Sequence, residues 1–251
     1  AAGPSLTAGW GALGGQGQAQ LGWAVASAGD VNGDGYADVI VGAAFFDSTG
    51  GAYRGRAFVY HGGPSGLSLT ADWIKAGTQD LEQFGWSVAT AGDVNGDGYD
   101  DVIVSARAFG TGGSAYVYLG SPSGLSTTHA WTVTNNQVNA NFGYSVSSAG
   151  DVNGDGYSDV IVGVPFTSGG AIGGQARVYL GSPTGLSTNQ VWSVSTAQPD
   201  ELGHSVASAG DINRDGYSDI VIGAPYFDGG QADEGRVLVY LGTPSGPAPT
   251  G

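Results

Sequence analysis

The sequence contains no cysteine, so it forms no disulfide and offers no thiol chemistry. No apolar run approaches the roughly 18 residues of a membrane-spanning helix, and membrane insertion is not expected. Charge is scarce, at 12% of residues, and basic charge scarcer still: 7 Lys and Arg stand against 22 Asp and Glu. A net charge of −15 repels phosphate backbones, so nucleic acid is not an expected partner. No N-x-S/T sequon occurs. No Gly-X-Y period accompanies the 48 glycines, which excludes collagen, and the supply of valine and aromatic residues excludes a disordered glycine-rich chain. Glycine must therefore serve turns, and many turns imply many short strands.

What the chain has in abundance is repetition. Ala-Gly-Asp-Val-Asn-Gly-Asp-Gly-Tyr occurs at 28–36, 91–99 and 149–157, with the variant Ala-Gly-Asp-Ile-Asn-Arg-Asp-Gly-Tyr at 209–217. The leading aspartates Asp30, Asp93, Asp151 and Asp211 are 63, 58 and 60 residues apart. Each unit reads as four strands. Strand A precedes the loop, as in 23–28. Strand B follows it with a β-branched run, as in 38–43 and 159–164. Strand C ends on Tyr60, Tyr118, Tyr179 or Tyr240. Strand D carries Trp73, Trp131 or Trp192. Four short antiparallel strands per unit predict an all-β propeller, a single domain over 1–251 with blades near 13–76, 77–134, 135–195 and 196–242. Residues 5–12, with Trp10, resemble a D strand without its partners, and they are expected to close the last blade as its outer strand.

Each unit also holds Asp-x-Asn-x-Asp-Gly-x-x-Asp. The four sets are Asp30, Asn32, Asp34 and Asp38; Asp93, Asn95, Asp97 and Asp101; Asp151, Asn153, Asp155 and Asp159; and Asp211, Asn213, Asp215 and Asp219. The aspartates at these motif positions are 12 of the 22 acidic residues. Calcium takes about six to eight oxygen ligands, and side-chain oxygens at positions 1, 3 and 5 converge if the chain curls at a glycine in position 6. The backbone carbonyl at position 7 (Tyr36, Tyr99, Tyr157, Tyr217) and the aspartate at position 9 complete the expected set. Position 12 is an aliphatic residue inside a strand, so the loop is not a helical EF-hand. About four Ca²⁺ ions, one per repeat, are expected. A metal-free Asx-rich hairpin would leave three mutually repelling aspartates per loop.

These residues resemble the FG-GAP repeats of the integrin α-subunit propeller. Phe84-Gly85 and Phe142-Gly143 match the first half of that signature, and Leu21-Gly22 and Leu202-Gly203 vary it conservatively. Gly223-Ala224-Pro225 matches the second half and Gly163-Val164-Pro165 nearly so, while Gly42-Ala43-Ala44 and Ser105-Ala106-Arg107 depart from it. The resemblance implies calcium-bound propellers at the cell surface or outside the cell, used for adhesion and recognition, lectins among them. Such propellers usually have seven blades. Four repeats leave three assemblies open: a four-bladed ring, a fragment, or a larger ring shared with a second copy, of which the last is favoured.

Loops of variable length carry ligands on rigid scaffolds. Here the B–C and D–A connections vary, on the face opposite the calcium loops, and they offer Phe46, Tyr53, Arg107, Phe109, Tyr226 and Asp228 for a protein or glycan ligand. His204 shares a slot with Trp23, Trp86 and Tyr144, and a packing role is expected there. No histidine recurs beside a serine or carboxylate, so no enzyme is expected. A structural spacer in a surface protein is the competing reading.

Overall fold

The computed structural model describes residues 8–47, 52–107, 112–167 and 173–248. It contains four antiparallel sheets in series, and among the described residues no helix, hence none able to cross a membrane. Blade one comprises β1 (Ala24–Gly29), β2 (Asp38–Ala43), β3 (Arg56–Tyr60) and β4 (Trp73–Ala76). Blade two comprises β5 (Phe84–Gly92), β6 (Asp101–Ala106), β7 (Ser114–Tyr118) and β8 (Trp131–Thr134). Blade three comprises β9 (Val146–Gly150), β10 (Asp159–Val164), β11 (Gln175–Tyr179) and β12 (Trp192–Ser195). Blade four has three strands, β13 (Ser205–Gly210), β14 (Asp219–Ala224) and β15 (Arg236–Tyr240). Strands pair in chain order within every sheet, the up-and-down topology of a propeller blade.

The second strand of each blade is Val/Ile-rich because both of its faces are covered. All six residues of β6 and of β10 are buried. The cores lie between blades rather than within them. One cluster joins Ile103, Val117 and Trp131 of blade two to Val160, Val162 and Tyr179 of blade three. The tryptophan opening each outer strand crosses to the next blade. Trp73 Nε1 donates to Ser126 O (3.0 Å) with its ring 5.0 Å from Tyr118, and Trp131 Nε1 donates to Ser187 O (2.9 Å) with its ring 5.1 Å from Tyr179. A propeller blade built this way cannot bury its own apolar faces alone.

The first strand of each blade bulges before the metal-type loop. The register shifts between Ser27 and Gly29, and likewise at Gly92, Gly150 and Gly210. Each of these glycines has positive φ (80°, 70°, 73° and 68°), and the bulge turns the chain out of the sheet into the loop.

One expectation fails. Residues 8–12 belong to no sheet, and β15 gains no fourth strand among the described residues; residues 5–7 lie outside them. Trp10 instead sits on blade one, its Nε1 donating to Ser68 O (2.8 Å) and its ring 4.8 Å from Tyr60. That is the contact Trp73 and Trp131 make with the blade that follows them. Trp10 thus takes, on blade one, the place that Trp73 takes on blade two.

Replacing Trp131 by alanine removes an almost fully buried indole bridging two blades, and destabilisation of about 3–5 kcal/mol is expected. Trp131→Phe keeps most of the packing and loses one hydrogen bond, for about 1 kcal/mol of further cost. Urea unfolding midpoints measure both.

Candidate metal loops and ligand face

The four loops are wound alike. In the first, the Asp30 carboxylate accepts the amides of Gly33 (2.8 Å), Asp34 (3.1 Å) and Gly35 (2.8 Å). Asn32 Oδ1 accepts the Asp34 amide (3.1 Å), and Asp34 Oδ1 accepts the Tyr36 amide (2.9 Å). Asp93, Asn95 and Asp97 repeat this, as do Asp151, Asn153 and Asp155. Asp211, Asn213 and Asp215 follow the same pattern. Chained Asx turns of this kind curl the backbone around its own side-chain oxygens. Hydrogen bonding to the ionised form lowers the Asp211 pKa, the Gly216 amide being the largest cause.

The position-9 aspartates are buried and hold the loop to the sheet. Asp38 Oδ2 accepts the Val31 amide (2.9 Å) and Oδ1 the Gly62 amide (2.8 Å) of the C–D turn. Asp101, Asp159 and Asp219 make the same two bonds. The A–B and C–D connections therefore share one end of every blade. Burial pushes Asp101 and Asp159 up to about 7, against the lowering effect of these amides, with the loop aspartates adding to the rise. Asp38 is raised as well, chiefly by burial.

The fit to a metal is one of donor chemistry. Every ligating candidate is an oxygen, as a hard cation requires. A carboxylate has about four lone-pair sites, so the amide bonds leave each aspartate acceptor capacity. No group of three or more Asp, Glu, His or Cys side chains stands close enough to form a metal cluster among the described residues. Only Asn and backbone oxygens in addition to the carboxylates would complete a coordination sphere here.

The tyrosines at position 7 carry a second role that is not legible from the motif. The rings of Tyr99, Tyr157 and Tyr217 lie over Gly33, Gly96 and Gly154 of the preceding blade's loop, where a Cβ would stand 2.6 Å from the ring. The amides of Asp100, Ser158 and Ser218 donate to Asp30 O, Asp93 O and Asp151 O across the same junctions (3.1, 2.9 and 2.8 Å). Each loop is thus gripped by the blade that follows it.

The opposite end carries a row of rings, one from the start of each inner strand. Trp23 and Trp86 are 4.8 Å apart, Trp86 and Tyr144 5.8 Å, and Tyr144 and His204 4.8 Å. Phe45 joins at 5.0 Å from Trp23, and Tyr53 at 5.9 Å from Phe45. The Arg107 guanidinium lies 4.2 Å over Trp86 and 5.3 Å over Tyr144. Its Nε is buried without a hydrogen-bond partner among the described residues. Tyr53 and Arg107 thus border the same row of rings, Tyr53 through Phe45 and Arg107 through Trp86. The others do not join them. Phe46 lies under Arg56 (3.7 Å), Tyr226 is exposed on blade four, and Asp228 accepts the Asp233 amide of its own loop (2.6 Å). Phe109 lies outside the described residues. The row itself was visible only as a recurring aromatic after Gly22, Gly85, Gly143 and Gly203, which packing alone also explains.

Comparison with known proteins agrees with this architecture. The FG-GAP repeat pattern matches residues 21–60, 84–119, 142–180 and 202–240, more than half of the chain. The chain is 37% identical to the phosphatidylinositol-glycan-specific phospholipase D of Bos taurus over 164 residues, 60% of this chain and 19% of that protein. It is 34% identical to integrin alpha-5 of Xenopus laevis over 177 residues (68% and 16%). Against integrin alpha-PS3 of Drosophila melanogaster it is 32% identical over 218 residues (76% and 19%). The chain thus spans less than a fifth of the length of these relatives. Four matched repeats, each coinciding with one sheet, make this chain a member of the FG-GAP repeat family, with the integrin α-like propeller architecture.

Proposed function

We propose that this chain is an extracellular or cell-surface recognition module whose blades are held by calcium and whose ligand face is the aromatic row at the opposite end. The observation that carries the reading is the segregation of the two ends. Four near-identical oxygen-lined loops occupy one; Trp23, Phe45, Tyr53, Trp86, Tyr144 and Arg107 gather at the other. In each loop the ligands would be the oxygens of positions 1, 3 and 5, the position-7 carbonyl and the position-9 aspartate. Calcium would neutralise carboxylates that otherwise repel. The ligand class is a protein surface or a glycan, since aromatic faces beside a guanidinium suit both sugar rings and polypeptide. The matched region occurs both in proteins named as integrins and in proteins named as a phospholipase, so membership alone does not decide catalysis. We assign this chain a binding role, because the aspartates are engaged in the loops and the row holds rings and a guanidinium rather than a nucleophile beside a base.

A glycan array and a pull-down from surface-protein extracts test the ligand face. Trp86→Ala and Arg107→Ala are each expected to reduce binding about tenfold or more, with calcium stabilisation kept. Binding that both variants retain in full would place the ligand elsewhere.

Calcium is expected to raise the melting temperature. With a Kd of about 0.1 mM per site and about 1 mM calcium, each site contributes roughly 1.4 kcal/mol and four contribute roughly 6. An unchanged melting curve in chelator would remove calcium from the account.

The pH dependence without metal has a definite sign. Asp101 and Asp159 have folded pKa values raised to about 7 from 3.8. Their contribution is fully present below about pH 4 and is lost as pH rises through 7. In chelator, stability is therefore expected to fall between pH 4 and 7.5, whereas the increment from added calcium grows over that range because binding needs the carboxylates ionised. Thermal melts at matched ionic strength, with and without calcium, measure both slopes.

A further inference from the structure

Blade two departs from the repeat at two neighbouring positions, and both changes act on one place in the ring row. Where the other blades have Gly42, Gly163 and Gly223, blade two has Ser105; where they have Ala44, Pro165 and Pro225, it has Arg107. The carbonyl oxygens of Gly85 and Gly203 press against Gly42 and Gly163 too closely for any Cβ. Ser105 carries that Cβ, so the facing Gly143 of blade three has to stand further off. Its Oγ accepts the Ser87 amide (3.0 Å). The rings reflect the difference. Trp86 and Tyr144, across this junction, are 5.8 Å apart, against 4.8 Å for both Trp23–Trp86 and Tyr144–His204.

The Arg107 guanidinium lies over this wider gap, 4.2 Å from the Trp86 ring and 5.3 Å from the Tyr144 ring. All 22 acidic residues lie among the described residues, and no salt bridge joins Arg107 to any of them. The other ring-stacked arginines differ. Arg236 pairs with Asp200 (3.2 Å), and Arg177 donates to Gln175 Oε1 (2.7 Å). Arg56 over Phe46 holds the place that Arg236 holds over Phe227, a recurring packing position at the start of the third strand. Arg107 recurs in no other blade. Burial lowers its pKa, with Tyr144 opposing, so the site carries a partly desolvated cation that no carboxylate of the chain offsets.

We propose that Arg107, Trp86 and Tyr144 form a binding position for a carboxylate, supplied by a sugar acid of a glycan. This rests on the ring row being the ligand face. A guanidinium meets a carboxylate through two parallel N–H···O bonds, and the pairing strengthens where water is excluded. Aromatic faces with one charged group between them suit a small ligand whose orientation the charge fixes. A cationic ligand, which bare rings attract, is repelled by the arginine already seated there. The net charge of −15 repels a polyanion or a strongly acidic protein surface at long range. A single carboxylate on an otherwise uncharged sugar chain keeps the local pairing and avoids that repulsion. Ser105 acts as a positioning residue by holding the gap open.

Equilibrium binding of oligosaccharides ending in glucuronic, galacturonic or sialic acid tests the proposal. Their carboxyl-reduced forms and an otherwise neutral peptide with one glutamate serve as comparisons. At least one acidic form is expected to bind about tenfold or more tighter than its reduced form. Arg107→Gln is expected to make the two equal, and Arg107→Lys to keep part of the preference, because lysine retains the charge without the fork. Ser105→Gly is expected to weaken the acidic form several-fold by closing the gap. Circular dichroism verifies the fold of each variant, and the reduced ligands need no variant at all. Equal binding of acidic and reduced forms, lost in Trp86→Ala, would keep the row as the ligand face and overturn the carboxylate. A preference that survives Arg107→Gln would overturn the assignment to Arg107. Binding of the peptide alone, or of none of these probes, would overturn the sugar acid.

Discussion

The grip of each blade on the loop of the blade before it is the constraint on which the structure rests. Amides of Asp100, Ser158 and Ser218 reach back to the carbonyls of Asp30, Asp93 and Asp151, and those of Ser121, Ser182 and Thr243 reach Val31, Val94 and Val152. Tyrosine rings cover the loop glycines, and tryptophans cross to the following blade. An isolated blade has neither a closed core nor a seated loop. Stability, metal-loop geometry and assembly are therefore one problem, because every term involves two successive blades.

That arrangement explains why acidic residues are tolerated inside the fold. Asp38, Asp101, Asp159 and Asp219 are 0–1% exposed, yet each accepts two amides that would otherwise lack partners. Losing one would leave buried donors unsatisfied as well as an opened loop. The same carboxylates tie the C–D turn to the A–B loop, so a cation bound there would stiffen both connections at once. The opposite end is freed from this duty. Its loops vary in length and hold their shape through pairs such as Arg54–Asp80 (2.8 Å) and Arg236–Asp200 (3.2 Å).

Much of the fold was legible because the repeat compares the chain with itself. The second strand was read with its bounds at 38–43 and 159–164, since a β-branched run after Asp-Gly-x-x-Asp has few other conformations. Third strands end on Tyr60, Tyr118, Tyr179 and Tyr240 as read, and they begin at Arg56, Ser114, Gln175 and Arg236. The ligand candidates were read less well. Loop length did not separate Tyr53 and Arg107, which border the same row of rings, from Phe46, which lies under Arg56. Which side chains converge depends on the angle between blades, and no single repeat encodes it.

By itself the sequence determined four units, their strand order and the oxygen-lined loop in each, because these follow from local spacing, turn glycines and period-two patterning. Only the tertiary structure decided that the position-7 tyrosines pack on the preceding loop, that Trp23, Trp86, Tyr144 and His204 form one row, and that Trp10 seats on blade one without joining blade four. Those contacts link residues roughly 60 positions apart, and they are set by how one sheet rotates against the next rather than by any property of the residues between them.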